Sequence, residues 1–317
     1  MAEKQPLNAT MFAFKKRERG GVLLGATLAY VVLAFAMFGI FAALNWQGAR
    51  DYMMWITSFS QSYDPANPSS VAPPPASVMG LLPAYFLLLF FTYVLLASYE
   101  AACLRWMIRG ETGGLFGLSL GADTWRVYAG YWMWFLLLIA AYIACAVIAL
   151  VFMGSIFAVG STGDANAMTS LGFAAPVLFL VILLGLLFFA VRLAPAAATS
   201  IARKKFAFFD AWTVTKGRFW ALLGSFVLLW LMYVVAVIVL SVGIGVAVGM
   251  GAGGAYNPNA TPEEAMDVFA SPQVLAPVLV IYGLMIVAAF VWFLALFGIN
   301  ARAAQAALEE GKITVAS

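Results

Sequence analysis

Few residues in this chain are able to do chemistry, and those placed inside or beside apolar stretches are fewer still. Glu100 stands where the second long apolar run ends, and Arg192 where the fourth does. A carboxylate and a guanidinium at comparable depth have two physical options. They can pair, which costs less than two separately desolvated charges, and then act as a gate or a headgroup clamp. Alternatively each can snorkel, with its stem in hydrocarbon and its charge at the interface, which is the simpler expectation. Little else offers a mechanism. The chain has no histidine, so the commonest general base and metal ligand are missing. Cys103 and Cys145 sit in or beside apolar stretches and read as small buried hydrophobes. Ser241 and the other hydroxyls have no identifiable base. Gly243-Ile244-Gly245 lacks both the third glycine and the βαβ context of a nucleotide fingerprint. No acidic residue falls at the middle of an apolar run, where an ion-coupled pump usually carries one. No catalytic residue, metal ligand or cofactor site is therefore expected.

The elements that hold these residues are membrane spans. Of 317 residues, 64% are hydrophobic and 10% charged, against about 25% charged in a soluble domain. Fifteen per cent aromatic residues and ten Trp suit a surface that faces lipid. A hydrocarbon core about 30 Å thick needs about 20 helical residues, and uncharged runs of that order recur six times. They lie near Val22–Leu44, Leu81–Ser98, Val127–Phe157, Phe173–Val191, Phe219–Met250 and Val274–Asn300. The fold class is all-α: a polytopic membrane protein of three helical hairpins, with short interfacial helices on the cytoplasmic side. A basic segment 1–20 leads into a transmembrane domain 21–300 and a tail 301–317. The first run follows Lys15, Lys16, Arg17 and Arg19. It is too long for a cleaved signal and has no small-x-small cleavage site, so it reads as a retained anchor.

Lys and Arg give the orientation. The N-terminal segment, loops 99–126 and 200–218 and the C-terminal tail carry fifteen, and the other three connections carry one, Arg50. That asymmetry places both termini on the cytoplasmic side; the resemblance given below implies a bacterial inner membrane.

Three units can be laid over one another: a basic interfacial segment, a span outward, an outer loop, a span back. Each inward span has a proline near its outer start (Pro83, Pro176, Pro277), expected in the first helical turn, and an alanine-rich stretch at its inner end. Asp123-Thr124-Trp125 echoes Asp210-Ala211-Trp212. The alternative is that helical hairpins share such features without duplication. Trp125, Trp132, Phe208, Trp212, Phe219 and Trp220 are candidate interfacial anchors. In the second inner loop Phe208, Trp212, Thr215 and Phe219 fall on one helical face, fit to lie among acyl chains. The first loop, Leu115 to Tyr128, is a weaker version. Plain elbows that turn the chain are the simpler account of both. Outside, the proline-rich segment 64–76 reads as an extended linker, and Thr261-Pro262-Glu263-Glu264 as the start of a short helix reaching about Ala270. Gly245, Gly249 and Gly253, like Gly21 and Gly25, are spaced for close helix approach.

The segment Phe208-Phe209-Asp210-Ala211-Trp212-Thr213-Val214-Thr215-Lys216-Gly217-Arg218-Phe219-Trp220, after an inward span ending Ala-Pro-Ala-Ala-Ala, carries a family resemblance. It resembles bacterial six-span inner-membrane proteins that include the membrane region fused to some glycerophosphodiester phosphodiesterases. The resemblance covers about residues 80–300 and its motifs are structural. The catalytic barrel of that family has no counterpart in this sequence, so the resemblance implies neither a hydrolase nor any catalytic residue.

Three function classes remain. The first is a non-enzymatic protein of envelope or lipid-related membrane organisation, or a subunit of a membrane complex. The second is a transporter or permease for a small or lipidic substrate, and the third an enzyme. Expected partners are membrane lipids and a membrane-protein partner or second copy, not nucleic acid. A water-filled cavity would favour the transporter, and a dry bundle with an exposed groove the partner-binding protein. A pocket grouping Glu100, Asp123 and Asp210 with arginines would favour the enzyme.

Overall fold

The structure is a computed structural model that describes residues 9–15, 21–62, 73–252 and 271–315. Its helices are α1 (Phe12–Lys15), α2 (Gly21–Leu44), α3 (Trp46–Ser62), α4 (Ala76–Met79), α5 (Leu81–Arg109) and α6 (Ala122–Thr162), then α7 (Ala165–Leu193), α8 (Ala196–Arg203), α9 (Ala211–Thr215), α10 (Phe219–Ala252) and α11 (Pro272–Glu309). Among the described residues there is no strand, and six helical stretches are long and apolar enough to cross a membrane. The chain is an all-α, multi-pass integral membrane protein. The short outer helix expected from Thr261 to about Ala270, most of the proline-rich linker, Gly253 and the basic residues Lys4, Lys16, Arg17 and Arg19 lie outside the described residues.

The hairpins are α2 with α5, α6 with α7 and α10 with α11, and α3 lies between the first two spans. One end of the bundle carries the connections 110–121 and 204–218 and the C-terminal tail, and is called the elbow end below. The helices that return to it finish alike. α5 stops at Gly110 (φ 69°), α8 at Lys204 (φ 54°) and α11 at Gly311 (φ 66°), three left-handed residues that end the helical ladder. α7 is cut from α8 because Pro195 lacks the N–H that a continuous helix needs there.

The buried core is at this end. Ala97, Ala101, Ala102, Cys103 and Leu104 of α5 pack with Ala198, Ile201 and Ala202 of α8 and with Ala301, Ala303, Ala304, Ala306 and Ala307 of α11. Alanine's lone methyl lets three helices approach closely in one place. Ala9 and Ala13 join from beside α11, where a Cβ on Gly298 would meet Ala13 at 2.8 Å. The middle of the spans is the reverse case. At most 6% of the central window of any span is buried, and leucines, valines and phenylalanines along all six are exposed.

Several sequence expectations change here. Pro83 does sit in the first turn of α5, but Pro176 and Pro277 lie inside α7 and α11. Those two helices begin earlier, α7 on an Asp164 side chain that accepts from the Asn166 and Ala167 N–H groups. A Cβ on Gly245 or Gly249 would meet nothing within 4 Å, so their spacing marks no helix contact. The first elbow is not helical over 110–121, and helix begins only at Ala122.

Candidate functional site

Glu100 and Arg192 do not pair. The pair expectation fails because each side chain leaves its helix toward a different neighbour. Glu100 is 8% exposed, inside the core end of α5, and accepts a hydrogen bond of 2.6 Å from the Tyr131 hydroxyl of α6. Next to it Tyr99 and Thr27 share a hydroxyl bond of 2.8 Å, with the Tyr30 ring 4.9 Å from that of Tyr99. Arg192, in the last turn of α7, faces α9. Its guanidinium carbon lies 5.2 Å from the Phe188 and Trp212 ring centres and 5.6 Å from that of Phe219. Its Nη1 donates to Thr215 Oγ1 at 3.4 Å, and Nε is buried without a partner.

The six aromatic anchors divide. Trp125, Trp132, Trp212 and Trp220 are exposed, Trp220 most of all at 79%. Phe219 packs partly buried against the core. Phe208, expected on the lipid face, is 2% exposed and packs with Leu193, Ala196 and Ala211 and against Trp134 of α6. The cause is local. Helix covers only Ala211–Thr215, Gly217 (φ 78°) turns the chain before α10, and Phe208 therefore does not share the helical face of Trp212. Thr215 is buried as well.

Sequence reading missed an ionic layer that seats both elbows. Asp123, at the start of α6, accepts from Arg109 and Arg126 at 2.5 Å each. Arg109 also reaches Glu111 at 2.8 Å and donates to the Ile201 carbonyl of α8. Arg105 binds Ser119 Oγ and the Gly117 carbonyl, 2.8 Å each, which fixes the non-helical turn. At the second elbow Arg203 pairs with Asp210 and donates to the Thr314 carbonyl. Arg218 pairs with Glu310, which also holds Lys312 at 2.7 Å. These bonds hold the Glu310 carboxyl below the usual carboxylate range, Lys312 contributing most, against the opposing pull of partial burial. The arginine just before a left-handed helix end and the aspartate two residues before a tryptophan are thus partners twice, as Arg109–Asp123 and Arg203–Asp210. The Asp123–Arg126 spacing was readable as an i,i+3 pair. Nothing local linked Glu100 to Tyr131, 31 residues away.

As chemistry, the arrangement separates its acids. Glu100 is bound to a tyrosine, Asp123 to two arginines and Asp210 to a third. A cavity of about 620 Å³ between α2, α5 and the first elbow is lined by Leu33, Met37, Phe91, Leu95, Leu118 and their apolar neighbours, with Ser98 and Ser119 at its edge. A smaller one of about 250 Å³ lies between α6 and α7, lined by residues such as Val147, Val151, Phe152 and Leu178. Both are hydrocarbon-like. Among the described residues no three Cys, Asp or Glu cluster as metal ligands would.

Fold and surface together define a six-span integral membrane protein with its packed core at the elbow end. Comparison with family models, with curated proteins and with solved structures finds no match.

Proposed function

We propose that this chain is a non-enzymatic membrane scaffold of the bacterial inner membrane, with its elbow end in the cytoplasm, that organises lipid or holds a partner subunit. One observation carries the reading: the spans are packed together at the elbow end and barely buried elsewhere. Apolar surface of that extent needs a cover of lipid chains or of another protein's helices. The two apolar cavities between spans suit the same occupants. The excess of Lys and Arg in the elbows and tail supports the orientation. The resemblance to a membrane region fused to phosphodiesterases of phospholipid breakdown products supports the lipid-related setting.

Extraction from native membranes in copolymer nanodiscs, with identification of bound lipids and chains, tests the role. Phospholipids retained through delipidating washes, or a partner chain at fixed stoichiometry, is the expected result. A bare monomer that loses its lipid freely would overturn it. Orientation is tested by thiol labelling from outside: Cys placed at Ser70 or Asn257 should react and Cys at Lys204 or Lys312 should not. Labelling at Lys204 would reverse the topology.

A further inference from the structure

We propose that Arg192, in its box of Phe188, Trp212 and Phe219, binds the phosphate of an anionic phospholipid at the second elbow. The proposal rests on the lipid-organising reading above and assigns it a site. Arg109, Arg126, Arg203, Arg218 and Arg302 each have a carboxylate partner. Among the described residues Arg50, Arg105 and Arg192 have none, but Arg50 is exposed and Arg105 is satisfied by 2.8 Å bonds to Ser119 and the Gly117 carbonyl. The one hydrogen bond that Arg192 donates, 3.4 Å to Thr215 Oγ1, is longer than a normal N–H···O bond. Its Nε is buried and unpartnered, the side chain as a whole is only partly buried, and among the described residues Nη2 makes no hydrogen bond. The group is held but not neutralised: three rings attract the cation and keep it from swinging toward an acid.

The surroundings favour an anion. Of the six Lys and Arg from Arg192 to Arg218, Arg203 engages Asp210, Lys204 lies 3.8 Å from Glu111 and Arg218 pairs with Glu310, so among the described residues Arg192, Lys205 and Lys216 have no carboxylate. A planar guanidinium with a free N–H edge matches a phosphate oxygen pair better than an ammonium does. The site also sits where α7 leaves the apolar zone, beside the exposed ring of Trp212 and, through Phe219, that of Trp220. Rings at that level match the headgroup and glycerol region, so the phosphate they would accompany is one that carries acyl chains. Free phosphate offers nothing for those rings to cover.

The test uses the full chain in phosphatidylcholine nanodiscs, with phosphatidylglycerol titrated in and retained lipid counted by native mass spectrometry. The wild type should retain phosphatidylglycerol over phosphatidylcholine by about tenfold, the ratio set by one good ionic contact of about 1.4 kcal/mol. Arg192→Gln should bring the ratio close to one, Arg192→Lys should fall between, and Arg50→Gln at the opposite end should match the wild type. An unchanged ratio in Arg192→Gln overturns the site while leaving the scaffold reading intact. A wild type that retains no lipid of either kind overturns both. If Arg192→Gln does not fold, Arg192→Lys decides: an undiminished ratio there refutes the role of the guanidinium fork. Displacement of phosphatidylglycerol by millimolar inorganic phosphate would refute the lipid as the source of the phosphate.

Discussion

Two aspartates with the same sequence setting should behave differently when removed. Asp123 and Asp210 both stand two residues before a tryptophan, and both pair with an arginine that ends a returning helix. Their surroundings differ. The Asp123 side chain is 9% exposed and bonded to two arginines at 2.5 Å, of which Arg109 is 13% exposed. Asp123→Ala leaves a poorly hydrated cation, and breaking a buried pair from one side costs about 3–5 kcal/mol. Arg109 keeps Glu111 and the Ile201 carbonyl, which moves the expectation to the low end, about 3 kcal/mol. Asp210 is 40% exposed, and Arg203 keeps the Thr314 carbonyl when it is gone. Asp210 makes no side-chain cap bond to α9, so no cap is lost either. Asp210→Ala should cost less than about 1 kcal/mol. A gap of about 2 kcal/mol is about thirtyfold in the folded-to-unfolded ratio. Reversible unfolding by dodecyl sulfate in mixed micelles, followed by helical circular dichroism, reads it. Equal losses in the two variants would refute the claim that burial, and not the pairing motif, sets the energy.

Tyr131→Phe should cost about 1–3 kcal/mol, the penalty for leaving the buried Glu100 carboxyl without its hydrogen-bond partner, and Glu100→Gln combined with Arg192→Gln should be additive in the same unfolding assay. Strong coupling between residues 100 and 192 would reinstate their pairing. Gly298→Val should cost about 1–3 kcal/mol through overpacking against the Ala13 backbone and should speed proteolysis within residues 9–15; unchanged cleavage would refute that contact. Glu310, whose carboxyl is held low by Lys312 and Arg218, contributes stability that is full above the ordinary glutamate value of 4.5 and is lost as pH falls through its lower folded value. Hydrogen-exchange protection at residues 311–315, taken relative to the intrinsic rate at each pH, should therefore fall below about pH 4.5 in the wild type and be already reduced, and flat with pH, in Glu310→Gln. A wild-type profile that is flat with pH would refute the contribution of Glu310.

The six spans were legible because excluding charge from hydrocarbon marks the sequence directly, and Lys or Arg at every second connection marks the hairpins. The core was half legible. Alanine runs at Ala101, Ala196 and Ala303 were visible as an echo, but their meeting in one cluster depends on how three helices converge, which no local pattern encodes. Helix α3 was not expected, since a stretch mixing Trp46, Arg50, Asp51, Met54 and Ser62 matches neither a span nor a linker. Phe208 was misplaced because a 3.6-residue period was extended through Gly217 and past a five-residue helix. The Gly245 and Gly249 spacing showed that close approach was sterically allowed, not that a helix lies there, while Gly298, without such a pattern, is the glycine pressed against a neighbour. The neighbours of Glu100 and Arg192 were not legible: Tyr131 comes from another hairpin, and the aromatic box joins Phe188 of α7 itself to Trp212 and Phe219 beyond the elbow.

The seat of α1 has a consequence for how the protein is made. Ala9 and Ala13 are buried against α11, and Arg302 of that helix lies over the Phe12 ring at 6.0 Å. Helix α1 is thus received by a helix nearly 300 residues later in the chain. Through the insertion of every intervening span its docking surface has nothing to dock on, and the alanine cluster it completes is missing a side. A chain halted before α11 keeps that side open, displaying a short apolar segment to any protease that patrols the membrane surface. This contact can close only once α11 is in place.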